Sequence, residues 1–96
     1  MDILIKIERK FIEDVKRVLL NDEIVSKGSI KFRDGESLSN EKGIFYCYIS
    51  GNEDICKKAI KLIGDKGKEV KDKDKIIQKI KKEEDNAISG FGAIFG

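Results

Sequence analysis

The sequence predicts an α+β fold, a two-layer sandwich in which helices cover one face of an antiparallel sheet. The expected order is β-α-β-β-α, followed by a C-terminal helix and a tail. Two observations lead there. Apolar residues alternate with polar ones over 2–8 and 30–33, and they recur at helical spacing over 11–19, 55–63 and 76–88. A chain of 96 residues also fits one domain and leaves no room for two. That domain is expected over residues 1–88, with the last helix starting near 74 and a Gly/Phe-rich apolar tail over 89–96.

From Asp2 to Glu8, Ile3, Ile5 and Ile7 fall on one side and Asp2, Leu4, Lys6 and Glu8 on the other, which is the signature of a half-buried strand. The period changes at Lys10. Phe11, Ile12, Val15, Val18 and Leu19 make one helical stripe, which Asn21-Asp22 ends. Ile30 and Phe32 alternate with Lys31 and Arg33 in a second strand beginning near Lys27-Gly28. Asp34-Gly35 opens a polar connection to Lys42-Gly43, read as the long, mobile tip of a hairpin. Ile44 to Ile49 contains only β-branched, aromatic and Cys residues and is the most strand-like stretch of the chain.

Ser50-Gly51-Asn52-Glu53 reads as a capping box with Ser50 as the cap. The helix it opens carries Ile55, Cys56, Ala59, Ile60 and Ile63, and Gly64 supplies a left-handed end. Asp65 to Lys75 is almost entirely charged. A short edge strand around Glu69-Val70-Lys71 would complete a ferredoxin-like β-α-β-β-α-β order; the alternative is a solvated linker. The last helix presents Ile76, Ile77, Ile80, Ala87 and Ile88 as a narrow stripe.

Composition excludes several chemistries. Charged residues make up 40% of the chain, Lys and Glu are abundant, and His, Trp and Pro are absent. A Lys/Glu surface over an Ile core is a thermophile-like pattern, although an AT-rich genome produces the same bias. The formal net charge of +2 arises from 20 basic and 18 acidic residues, so only local clustering could mark a partner for nucleic acid. No apolar run approaches the ~20 residues of a membrane span, and Met1 to Lys6 lacks the pattern of a signal peptide. A cytoplasmic location and no membrane partner are expected. Two thiols, Cys47 and Cys56, cannot close a zinc site without His and read as buried small hydrophobes; a disulfide or redox pair is the alternative.

Without His, a phosphate loop or a nucleophile elbow, no catalytic residues and no cofactor are expected. Glu83-Glu84-Asp85 reads as solvated surface. Asp72-x-Asp74 with Glu83 has calcium-loop spacing, but Ile77 stands where that loop needs Gly. Asp34, Glu36 and Glu41 are weak candidates for holding a cation or small ligand in the 34–41 loop. The lysine runs, Lys57, Lys58 and Lys61 on one helix and Lys75, Lys79 and Lys82 on the last, read as solvated faces.

Lys42-Gly43-Ile44-Phe45-Tyr46-Cys47-Tyr48-Ile49 is similar to the octapeptide on the third strand of RNA-recognition motif domains. The resemblance covers eight residues. It implies a single-stranded RNA partner, with Lys42, Tyr46 and Tyr48 as contact residues and the tyrosines stacking on bases. Ile44 stands where that family carries a stacking aromatic, Phe45 fills its small position, and Leu4 replaces an aromatic on the first strand.

Alternation places Phe45, Cys47 and Ile49 under the helices and Ile44, Tyr46 and Tyr48 on the other face. That aromatic surface is too large to stay wet without purpose. Three covers are open: the C-terminal helix and tail, a second copy of the chain, or nucleic acid. Phe91, Ile94 and Phe95, interleaved with Gly90, Gly92 and Gly96, form either a docked end or a motif for a partner's groove. The expected function is that of a non-catalytic protein-interaction domain, homodimeric, acting through Tyr46, Tyr48 and Ile44 and through Phe91, Ile94 and Phe95.

Overall fold

In the computed structural model, which describes residues 1–82, the alternating segment at the start of the chain forms β1 (Asp2–Glu8). A single 3-10 turn (Arg9–Phe11) leads into α1 (Ile12–Asn21), whose inward stripe is Ile12, Val15 and Leu19. Asp22 ends α1 and accepts hydrogen bonds at Oδ1 from the amides of Ile24 and Val25. Those two donors hold its carboxyl below the usual carboxylate range. Val25, fully buried in the next 3-10 turn, is a core residue, whereas the adjoining Ile24 is exposed, a division that no period in this short segment reveals.

β2 (Ser29–Asp34) and β3 (Ile44–Ser50) pair antiparallel, as the hairpin reading requires. Their connection is ordered differently from the mobile tip expected. It contains a short helix, α2 (Gly35–Ser39), capped by Asp34, whose Oδ1 accepts from Glu36 N at 2.9 Å. Asn40 ends it in the left-handed region at φ 59°, which Asn tolerates better than most side chains.

α3 (Glu53–Ile63) starts at a different cap from the one expected. Asn52, not Ser50, accepts from Ile55 N at 2.9 Å, because Ser50 still belongs to β3 and gives its hydroxyl to Asp2. Ile55, Cys56, Ala59 and Ile63 face inward, whereas Ile60 sits on the flank of the stripe and is exposed. Gly64 closes the helix with positive φ (54°), but its ψ of −129° takes it outside the left-handed helical conformation expected of that cap.

The fourth strand exists, two residues ahead of the expected place. β4 (Gly67–Glu69) pairs with β1, and Val70 N continues the ladder to Leu4 O at 2.8 Å. Gly67 is required by close approach: a Cβ there would stand 2.7 Å from Ile5 Cγ2 and 2.9 Å from Ile63 Cγ2. Residues 73–82 form a further helix, α4.

The chain is therefore α+β, with a four-stranded antiparallel sheet in the order β2-β3-β1-β4. Ile3, Ile5, Ile7, Cys47 and Ile49 project into one core with the stripes of α1 and α3. Both cysteines are free and buried there, and burial pushes the Cys47 thiol up to about 12 and raises that of Cys56. The opposite face is covered as well, so the described sheet lies between two helical layers. Among the described residues, no helix is long and apolar enough to cross a membrane.

Candidate functional site

The period-2 geometry of β1 and β3 puts Leu4, Tyr46 and Tyr48 on the face away from α1 and α3. Leu4 lies directly across from Tyr48, and Lys6 from Tyr46. On the other side of β3, Lys31 is opposite Tyr48 and Arg33 opposite Tyr46. The Tyr46 row thus carries two cationic residues, Lys6 and Arg33, and the Tyr48 row one, Lys31.

This face forms a seat, and α4 fills it. Tyr46, Tyr48 and Leu4 are 1%, 5% and 0% exposed, packed against Leu38 of α2 and Ile77 and Ile80 of α4, with Val70 and Ile76 at the rim. A phenol buried this deeply needs a partner for its hydroxyl. Ser39 Oγ and Tyr46 Oη share a hydrogen bond of 2.9 Å, and Tyr48 Oη donates to Asp2 Oδ2 at 3.0 Å. Ser50 Oγ donates to the other oxygen of Asp2 at 2.7 Å. The bonds from Ser50 and Tyr48 outweigh partial desolvation and lower the Asp2 pKa.

Two lysines fasten α4 to its seat through backbone carbonyls. Lys73 Nζ donates to Asp2 O at 2.7 Å and Lys79 Nζ to Leu38 O at 2.8 Å. A cleft of about 350 Å³ reaches the edge of the seat between β4 and α4, with Lys6, Lys68 and Asp72 at its mouth. Lys6 Nζ is bonded to Glu41 Oε2 at 2.6 Å, and that bond raises the lysine pKa.

The other residues singled out in the sequence are dispersed. Ile44 is half-buried at the start of β3, opposite Glu8, and Lys42 is exposed in the turn before it. Asp34 caps α2, Glu41 pairs with Lys6 and Glu36 is exposed in the first turn of α2, so the three do not converge on one point. No group of three or more metal-ligating side chains gathers among the described residues. Phe91, Ile94 and Phe95 lie outside the described residues.

Sequence reasoning did not find Leu38, Ser39, Asp2, Lys73 and Lys79 as parts of the seat. Only Asp2 carried a signal, its place on the Leu4 side of the β1 alternation. No protein-family model, curated protein or solved structure matches the chain.

Proposed function

We propose that this chain is a non-catalytic protein-interaction domain that self-associates through its aromatic sheet face, with α4 as the exchanged element. One observation carries the reading: a preformed apolar seat is filled by a helix tied to the sheet through a very short hinge. Val70 is fixed on Leu4, and α4 begins at residue 73. Among the described residues, the apolar side chains that α4 offers the seat are Ile76, Ile77 and Ile80. With the hinge straightened, the same three residues fit the seat of a second copy through identical contacts, and short hinges favour that exchange.

The connectivity supports a ferredoxin-like arrangement for the domain. Strand order β2-β3-β1-β4, with α1 and α3 as the crossovers on one face, is the order expected of it.

Light scattering on a size-exclusion column tests the reading. The chain should elute as a dimer that dissociates on dilution. Three Gly-Ser pairs inserted between Asp72 and Lys73 should relax the hinge, favour the seating of α4 on its own chain over exchange, and shift the chain to monomer. A chain that is monomeric at every concentration would sink the proposal.

The cationic rows favour a second reading, single-stranded RNA binding at Tyr46 and Tyr48. Stacking on either ring first requires α4 to leave. Titration with an oligouridylate at several salt concentrations tests it through the salt slope. Binding strengthened by Ile80→Asp would support it, and no binding at low salt by either form would dispose of it.

A further inference from the structure

A second surface is built differently from the tyrosine seat and lies on the helical side of the sheet. Between the 3-10 turn Val25–Lys27 and α3 runs a groove of about 510 Å³. Ile24 and Ile55 supply its apolar part, and Lys27, Lys57, Lys58 and Lys61 surround it with one acid, Asp54. Lys57 is offset by Glu53 at 2.6 Å. Among the described residues, no ion pair within 4 Å engages Lys27, Lys58 or Lys61, although Lys58 stands near enough to Asp22 to help lower its pKa. Ile24 is 44% exposed, and Leu20 and Ile60 on the adjoining helices are exposed too.

A surface with an aliphatic floor and a lysine rim fits a peptide with acids near one end and large apolar side chains further on. Nucleic acid fits less well. The lining contains no aromatic ring for a base to stack on, and Asp54 would face the phosphates. The chain itself spells such a peptide. Glu83-Glu84-Asp85 precedes Phe91, Ile94 and Phe95 within residues 83–96, which lie outside the described residues.

We propose that this groove is the docking site for the acidic–apolar segment 83–96 of this chain. The acids pair with Lys27, Lys58 and Lys61, and a phenylalanine covers Ile24 and Ile55. The proposal does not depend on exchange of α4, because the groove and the tyrosine seat share no residue.

Nuclear magnetic resonance of the full chain tests it. Replacing Glu83, Glu84 and Asp85 together by Lys should move the amide signals of Ile24, Lys27, Ile55 and Lys58 and leave those of Tyr46 and Tyr48 in place. Nuclear Overhauser contacts should connect a Phe91 or Phe95 ring with the methyls of Ile24 or Ile55. Mixed isotope labelling shows whether they arise within one chain or between two, and either origin supports the site. A Lys27→Glu/Lys61→Glu variant should lose these contacts while keeping its core signals. Groove amides unmoved by the triple substitution, with no ring-to-methyl contacts in the unmodified chain, would overturn the proposal. A chain that is monomeric at every concentration with these contacts intact would count against the exchange of α4 alone.

Discussion

Truncation of Ile80 to Ala probes the seal over the tyrosines. Ile80 is 0% exposed and touches the cluster of Leu4, Leu38, Tyr46, Tyr48 and Ile77. The substitution removes buried methyl and methylene groups and leaves a cavity bordered by two rings that their hydroxyl bonds hold in place. Such sites collapse poorly, and Ile→Ala in a core costs about 2–5 kcal/mol. The cost has a ceiling here. Once it exceeds the free energy of seating α4, the chain adopts the state with α4 lifted and loses nothing more. A loss of about 2–3 kcal/mol is therefore expected, which lowers the melting temperature by roughly 8–24 °C in a domain of this size. Circular dichroism and tyrosine fluorescence followed through the same thermal transition provide the assay. The fluorescence is specific, because the chain has two tyrosines and no tryptophan. A shift below about 4 °C, equivalent to less than ~1 kcal/mol, would show that Ile80 does not seal the tyrosine seat.

Three further outcomes are expected. The bonds from Ser50 and Tyr48 depress the folded pKa of Asp2, so their stabilisation is present above the unfolded value of about 3.9 and disappears as pH falls through the lower folded value. Asp2→Asn should flatten the stability curve in that acid range, as urea unfolding at several pH values would show; an unchanged curve would contradict the assignment. Asn52→Ala should cost about 1 kcal/mol through loss of the α3 cap, and its effect on α3 amide exchange should exceed that of Ser50→Ala. With its pKa raised to about 12, Cys47 has a thiolate fraction on the order of 10⁻⁴ at pH 8, so a disulfide reagent should react with Cys47 in the native chain about 100-fold or more slowly than in urea. Rapid reaction of both thiols in the native state would place them at the surface instead.

How much of this was legible depends on whether side chains or backbone define each element. β1, β3 and the division of their faces could be read because a period of two leaves no freedom once one side is apolar. That division puts Tyr46 and Tyr48 opposite Phe45 and Cys47 without reference to any contact. α2 could not be read, since five residues with one apolar anchor, Leu38, carry no period. β4 carries even less signal: its residues are Gly, Lys and Glu, and it is a strand because the backbone beside Gly67 can approach Ile5 and Ile63. The start of α3 was misplaced because Ser50 and Asn52 are both good caps, and the competing claim of Asp2 on the Ser50 hydroxyl comes from a residue far away in sequence. Ile60 directly follows Ala59 in the stripe, but on the helix it stands beside the inward residues Ile55, Cys56, Ala59 and Ile63 and is exposed.

The seat also shows why the aromatic octapeptide alone does not decide a partner. The same alternation suits a ring that stacks on a base and a ring that packs under a helix. Here the hydroxyls decide the local state, because Ser39 and Asp2 hold both phenols in place beneath α4.

Acrylamide quenching of tyrosine fluorescence in the full native chain tests this most directly, since Tyr46 and Tyr48 are its only emitters in the absence of tryptophan. With α4 seated, quenching should be several-fold weaker than in urea and should rise toward the urea value in an Ile77→Asp/Ile80→Asp variant that keeps its helical signal. Native quenching equal to that of the unfolded chain would mean that the tyrosine face stands open to solvent.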